Sequence, residues 1–227
     1  MLLSITLIGF LMVALLIGLR VASRAWQTGE ARLRVVHAEA ERNAFVVQQI
    51  SSLVPYQVTS SDPDLPGTFV IFQADAACLR LVTSYSSVFR NRSGLVLAEY
   101  GIFRVSSGGV EVALRETAVG DNNVLLHGLV KGIENDPDTM AAVIRYQPFF
   151  VTETDLALMT GLEAAGFDYL DLHPKKDAGP VWLAAWKPTD KKPYPDAIRL
   201  RWVRKNQEEE EIFPVRANFV VKASTGE

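Results

Sequence analysis

The residues with chemistry to offer are three histidines, one cysteine and a few acidic runs. His37, His127 and His173 lie far apart in the chain, and none stands in HExxH or HxH spacing, the spacings that bring two imidazoles to one metal. They read as structural or surface residues. Cys78 is the single cysteine, which leaves no intramolecular disulfide and no Cys-cluster zinc site. In the run DAACLRL it reads as a small buried hydrophobe at a strand edge, not as a nucleophile. There is no GxSxG elbow, Walker loop, GxGxxG or CxxC, and Gly108-Gly109 reads as a tight turn. Glu208 to Glu211 read as a solvated hairpin loop, because four adjacent glutamates converge on one cation only through a sharp turn. Asn135-Asp136-Pro137-Asp138 and Asp62-Pro63-Asp64 read as Asx and proline turns. Trp182, Trp186 and Trp202 read as core. The sequence thus assigns no catalytic, cofactor-binding or metal-ligating residue and calls for no cofactor.

The elements that would hold such residues divide the chain unevenly. Of 227 residues, 48% are hydrophobic and 22% charged, which suits one folded domain with an added element and excludes disorder. The net charge of −3 gives no footprint for nucleic acid. Residues 1–55 carry a surplus of arginine and the remainder a surplus of acid, so a basic stem precedes an acidic body. Residues 1–19, MLLSITLIGFLMVALLIGL, hold no charge. At 1.5 Å per residue they make a helix of roughly 28 Å, close to the hydrocarbon thickness of a bilayer. A cleaved signal would start basic, use a shorter apolar stretch and end at a small-x-small site, so a retained transmembrane span is the better reading. Arg20, Arg24, Arg32 and Arg34 all follow the span. Taken alone, they place the body in the cytoplasm by the positive-inside rule.

No proline interrupts residues 1–54, so the helix is expected to continue through 20–54 as an amphipathic stem. Val36, Ala40, Val47, Ile50 and Val54 mark one face, expected to pack on the body, and Pro55 ends the helix. Residues 55–227 read as mostly strand. Runs at 68–72, 79–84, 95–106, 110–116, 124–133, 140–146, 181–186, 197–205 and 212–222 are separated by turn residues, and Ser107-Gly108-Gly109 marks a hairpin. Residues 154–165, TDLALMTGLEAA, read as a helix with Thr154 as N-cap and Gly166 as its stop. Residues 187–196 read as a loop rich in proline and lysine. The class is α+β, with a long N-terminal helix, half of it transmembrane, on an antiparallel β-rich domain.

The whole chain resembles the J-type minor pseudopilins of type II secretion systems. LLSITLIGFLMVALLIGLRVASRAW is similar to their N-terminal helix. LRLVTSYSS, LVLAEYGIFRV, LLHGLVKGIE, FDYLD, GPVWLAAW and AIRLRWVRK follow in the family's order, with Trp182 and Trp186 at its two tryptophan positions. The resemblance implies a pilin-like body in the periplasm, a single-pass anchor in the inner membrane, leader cleavage and a methylated N-terminus. It also implies partnership with I- and K-type pseudopilins and the major pseudopilin at the tip of a pseudopilus, with membrane lipid around the span before assembly. Leu7, Leu11, Leu15 and Leu16 are then the residues expected in the span and in pilus-core packing. The family's basic leader and its Gly-Phe-Thr-Glu entry are not among these residues; the chain reads as starting at the methionine just past that glutamate, and a leader upstream would reverse the topology argument.

A minor pilin of a type IV pilus or DNA-uptake system is the alternative reading, since body strands alone do not separate the two. Readings of another class are a membrane-tethered periplasmic enzyme, which requires a convergent pocket holding a carboxylate or histidine with a shifted pKa, and a single-pass sensor or ligand-binding domain, which requires a cytoplasmic output region.

Overall fold

The computed structural model describes residues 2–60, 67–86, 94–106, 108–120, 127–135, 142–174, 179–189 and 192–217. The expected turns at Asp62-Pro63-Asp64 and Asp136-Pro137-Asp138 lie outside these residues, as does the end of the expected strand 212–222. One helix, α1 (Leu2–Ser51), opens the chain. Among the described residues thirteen strands follow in order: β1 (Gln57–Ser60), β2 (Gly67–Val70), β3 (Phe72–Ala74), β4 (Cys78–Thr83), β5 (Val96–Arg104), β6 (Val110–Ala118), β7 (Val130–Asn135), β8 (Ala142–Tyr146), β9 (Leu156–Leu162), β10 (Ala164–Asp171), β11 (Val181–Leu183), β12 (Ala197–Arg204) and β13 (Gln207–Pro214). Every pairing among them is antiparallel, so the α+β class expected from the sequence is the one observed. The chain divides into two compact units, residues 1–45 and 46–227.

The second unit begins with the last turns of α1. Val46, Gln49, Ile50 and Leu53 are buried, a spacing of three, one and three that defines one helical face. The helix stops at Ser51, before Pro55, because strand pairing takes over its backbone. Leu53 bridges to Thr83, the Val54 amide donates to the Val82 carbonyl at 2.9 Å, and the Ser84 amide donates to the Ser52 carbonyl at 3.2 Å. The Thr83 hydroxyl, buried beneath, has the Gln49 carbonyl at 2.9 Å and the Ser52 carbonyl at 3.1 Å as acceptors for its one proton, at a helix end that leaves its last carbonyls open.

Two sheets form the frame of this unit. The larger has the order β3-β4-β5-β6-β9 and the smaller β11-β10-β12-β13; β1-β2 and β7-β8 are separate hairpins. The β5–β6 hairpin turns where expected, with Gly108 and Gly109 at φ +88° and +98°, a region open to glycine and strained for other residues. In β12 the alternation is plain. Ile198, Leu200 and Trp202 are buried, while Arg199 and Arg201 lie on the opposite face and both reach the Asp168 carboxylate. Val58, Phe69, Ile71, Val82, Leu97, Leu129 and Val130 form one core cluster beneath the hairpins. Trp186 and Trp202 are buried as expected; Trp182 is half-buried, stacked on the Arg199 guanidinium at 4.3 Å.

Three expectations need correction. Residues 154–165 are not a helix: a turn at 153–155 leads into β9 and then β10. β9 pairs with β6 through register shifts, and Gly161 sits at φ +67°, so the strict alternation of a strand is broken and the apolar spacing imitates a helix. Glu208 to Glu211 do not form a loop. The turn is Lys205-Asn206, both at positive φ (53° and 59°), as two-residue hairpins require, and the glutamates lie along β13, the outer strand of its sheet. His127 stands in a short helical turn at 127–129, not in a strand.

Gly101 in β5 touches the Phe149 ring across the space a side chain would fill, and the Arg115 guanidinium lies over that ring, 4.9 Å from its centroid. Gly101→Val is expected to expel Phe149 and destabilise the fold by about 1–3 kcal/mol, the usual range for overpacking. Chemical denaturation of the full chain in detergent reads this; an unchanged midpoint would show that the ring moves aside freely.

Candidate partner interface

The chemistry-bearing residues are held apart. His37, His127 and His173 are exposed and belong to three different segments. Among the described residues no group of three His, Cys, Asp or Glu side chains is placed to share a metal. Cys78 is buried at the start of β4, and burial pushes its thiol up to about 12. It is the thiolate that reacts, so the native chain is expected to react with a thiol reagent at least tenfold more slowly than the chain in denaturant. Equal rates in a stopped-flow assay would contradict the burial.

A groove of about 360 Å³ is lined by strand residues such as Thr68, Phe69 and Val70, by Tyr146, and by Pro188 and Pro193 of the following loop. Its one phenol, Tyr146, is pushed up to about 12, chiefly by burial, and lies within 3.3 Å of the Val70 carbonyl and of the Phe72 backbone. That arrangement suits a fixed hydrogen-bonding post, not proton transfer near neutral pH.

The strongest electrostatics in the body are devoted to position. Arg80 and Glu99, both buried, face each other across β4 and β5 with Nε to Oε1 at 2.6 Å. Arg80 also donates to the Gln73 amide oxygen. Gln49 of α1 is buried. Its amide donates to Glu116 at 2.6 Å and to the Tyr85 carbonyl at 3.1 Å, and its carbonyl accepts from the Tyr100 hydroxyl. Glu116 in turn accepts from the Ser86 hydroxyl at 2.7 Å. The sequence reading does not single out Gln49; nothing local marks a polar side chain whose partners lie 36 to 67 residues away. Burial pushes the Asp155 carboxyl up, but hydrogen bonds from Arg115 and Thr152 outweigh it and hold it below the ordinary carboxylate range.

What the first unit offers is apolar surface. Phe10, Met12, Val13, Leu15, Leu16, Ile17, Leu19 and Val21 are all exposed, Leu15 by 68% and Leu16 by 66%. They follow one another too closely to share one face of a 3.6-residue helix, so this stretch is apolar all round. Leu7 and Leu11 belong to the helix, with side chains outside the described residues. Among the described residues, no helix is long and apolar enough to cross a membrane; the side chains of residues 2–8 and Leu11 are not among them, and the span over 1–19 stays an expectation of the sequence. Further along, Trp26, Leu33 and Val36 are exposed by 77%, 60% and 61%.

The stem face expected from the sequence divides. Ile50 is buried, Val54 is half-buried, and Val36, Ala40 and Val47 are exposed. The buried face of the last turns is the one through Val46, Gln49, Ile50 and Leu53. Expectation and structure share Ile50 and differ by a rotation, because hydrophobicity alone selected Val47 over Gln49.

Leaving a large apolar side chain in water forgoes roughly 1.5–3 kcal/mol of burial. Eight of them forgo roughly 12–24 kcal/mol, as large as or larger than the 5–15 kcal/mol by which a domain is stable. The first unit thus presents apolar surface around its early turns. No protein-family model matches the chain, and no curated protein matches it.

Proposed function

We propose that the chain is a minor pseudopilin, a structural subunit anchored in the inner membrane with its body in the periplasm. In this reading it works in a tip complex with I- and K-type pseudopilins and with the major pseudopilin, in support of protein export. The observation that carries the reading is the helix that bears exposed apolar residues all round its early turns and ends buried under antiparallel strands. A span of that kind leaves lipid only if other apolar helices replace the lipid contacts, which a bundle of parallel spans does. The order of body strands supports it, through the family resemblance of LVLAEYGIFRV, GPVWLAAW and AIRLRWVRK. The buried polar groups described above, Gln49 and the Arg80–Glu99 pair among them, bond to one another across elements and so hold those elements in place.

The test is the mass and N-terminal sequence of the protein made from its own locus. A methylated residue a few positions upstream of Met1 is expected, as prepilin processing leaves it. A product that begins at an unprocessed Met1 would overturn the reading.

A further inference from the structure

Past its apolar turns the helix changes character. Arg20 and Arg24 stand one turn apart on one face, and Trp26 stands roughly 140° away round the axis, on the opposite side. All three are exposed. Among the described residues neither guanidinium has an ion-pair or hydrogen-bond partner, and no carboxylate occurs before Glu30. Two cations thus stand together with nothing on their own turns to offset them. The spacing along the axis is that of a bilayer surface. A hydrocarbon core of about 30 Å within a total of about 40–45 Å leaves each headgroup layer about 5–7 Å deep. Arg24 lies about 6 Å beyond Arg20 and Trp26 about 9 Å beyond it. Side chains on a helix tilt toward its N-terminus, which returns the indole toward that layer. Glu30, about 15 Å beyond Arg20, lies outside it. A protein partner covers one face of a helix. Here the cations and the aromatic ring occupy opposite sides, next to turns that are apolar all round. Only a laminar surrounding meets both sides at one depth.

We propose that Arg20 and Arg24 bind the phosphates of anionic phospholipid headgroups while Trp26 lies at the boundary between headgroups and acyl chains, so that the three residues fix the depth of the helix. This site rests on the reading of residues 1–19 as a span. A guanidinium meets phosphate oxygens with two parallel N–H donors. Tryptophan, apolar in its body and polar at its N–H, favours the boundary layer. A zwitterionic headgroup brings its own cation and leaves the arginine pair without a counter-charge; an anionic one supplies it.

The test takes the full chain in an uncharged detergent and adds phosphatidylglycerol and phosphatidylcholine in equal amounts. Native mass spectrometry should find phosphatidylglycerol retained in preference. A basic residue near a charged lipid surface contributes a factor of about five. The double variant Arg20→Gln, Arg24→Gln should therefore lower the preference on the order of twentyfold, whereas Arg32→Gln, farther along the helix, should leave it unchanged. In vesicles whose acyl chains are brominated near the headgroup, Trp26→Phe should remove most of the quenched fluorescence. Quenching that survives Trp26→Phe would overturn the depth. No loss of preference in the double variant, or an equal loss with Arg32→Gln, would overturn the site and leave the span standing. Displacement of the lipid by inorganic phosphate at the same concentration would overturn the headgroup as occupant in favour of free phosphate. A chain that floats with vesicles of neither lipid would overturn the span, and the site with it.

Discussion

Arg80→Met is expected to destabilise the protein by about 3–5 kcal/mol, the usual effect of removing one partner from a buried ion pair. The reason is the Glu99 carboxylate. It is buried, it lies 2.6 Å from the lost guanidinium, and no water replaces that partner. The same change strips a donor from Gln73 and a cation from the Tyr146 ring, 5.7 Å away. Glu99→Leu should cost a similar amount by orphaning Arg80. The double variant Arg80→Met, Glu99→Leu should recover most of the loss, because an apolar pair of similar volume carries no desolvation penalty. Urea midpoints of the four full chains in detergent, taken as a cycle, measure the coupling. Should the single variants fail to fold, the double variant alone still decides. If it too is unfolded, packing around the pair matters more than its charge.

On the proposed reading, Leu16→Arg is expected to weaken assembly. Leu16 lies near the end of the apolar stretch 1–19, so an arginine there costs less than the roughly 2.5–3.5 kcal/mol of a span's centre, and at 1.4 kcal/mol per factor of ten partner recovery is expected to fall on the order of tenfold. Leu16 is 66% exposed, so the exchange removes little packing within the chain. The denaturation midpoint should therefore stay within about 0.5 kcal/mol of the original, as for surface changes. Co-purification with the partners proposed above reads the first effect and denaturation the second. Normal recovery of partners would show that this part of the helix is not where subunits meet.

Much of the body was legible because its strands alternate. Ile198, Leu200 and Trp202 against Arg199 and Arg201 declare β12 without help, and Gly108-Gly109 declares its turn. The first long helix was legible from its unbroken apolar and helix-favouring run. The failures share a cause: tertiary partners that no local pattern reports. β9 reads as a helix because bulged pairing and the left-handed Gly161 spoil its period of two. The Lys205-Asn206 turn was missed because the four glutamates beyond it attracted the loop assignment, although Asn at positive φ is a known turn signal. Gln49 was missed because its value lies in Tyr85, Tyr100 and Glu116, brought to it only by folding. On the helix, the apolar run through Leu15 and Leu16 was legible from hydropathy, whereas the rotation of the buried stem face was not.

The row of glutamates on β13 bears on how copies of this protein can meet. An outer strand offers unpaired amides and carbonyls, and these invite a like strand to add. Were a second copy to add antiparallel at β13, carboxylates would stand opposite carboxylates, an arrangement that destabilises the pairing. Arg199 and Arg201 do not relieve this, since they are already committed to Asp168 and lean on Glu210 at 3.2 Å and Glu208 at 3.8 Å. That margin is thus barred to stacking between copies, and polymer growth through sheet edges is discouraged at this side of the molecule. At high local concentration, copies of the chain are steered away from amyloid-like contact at this edge.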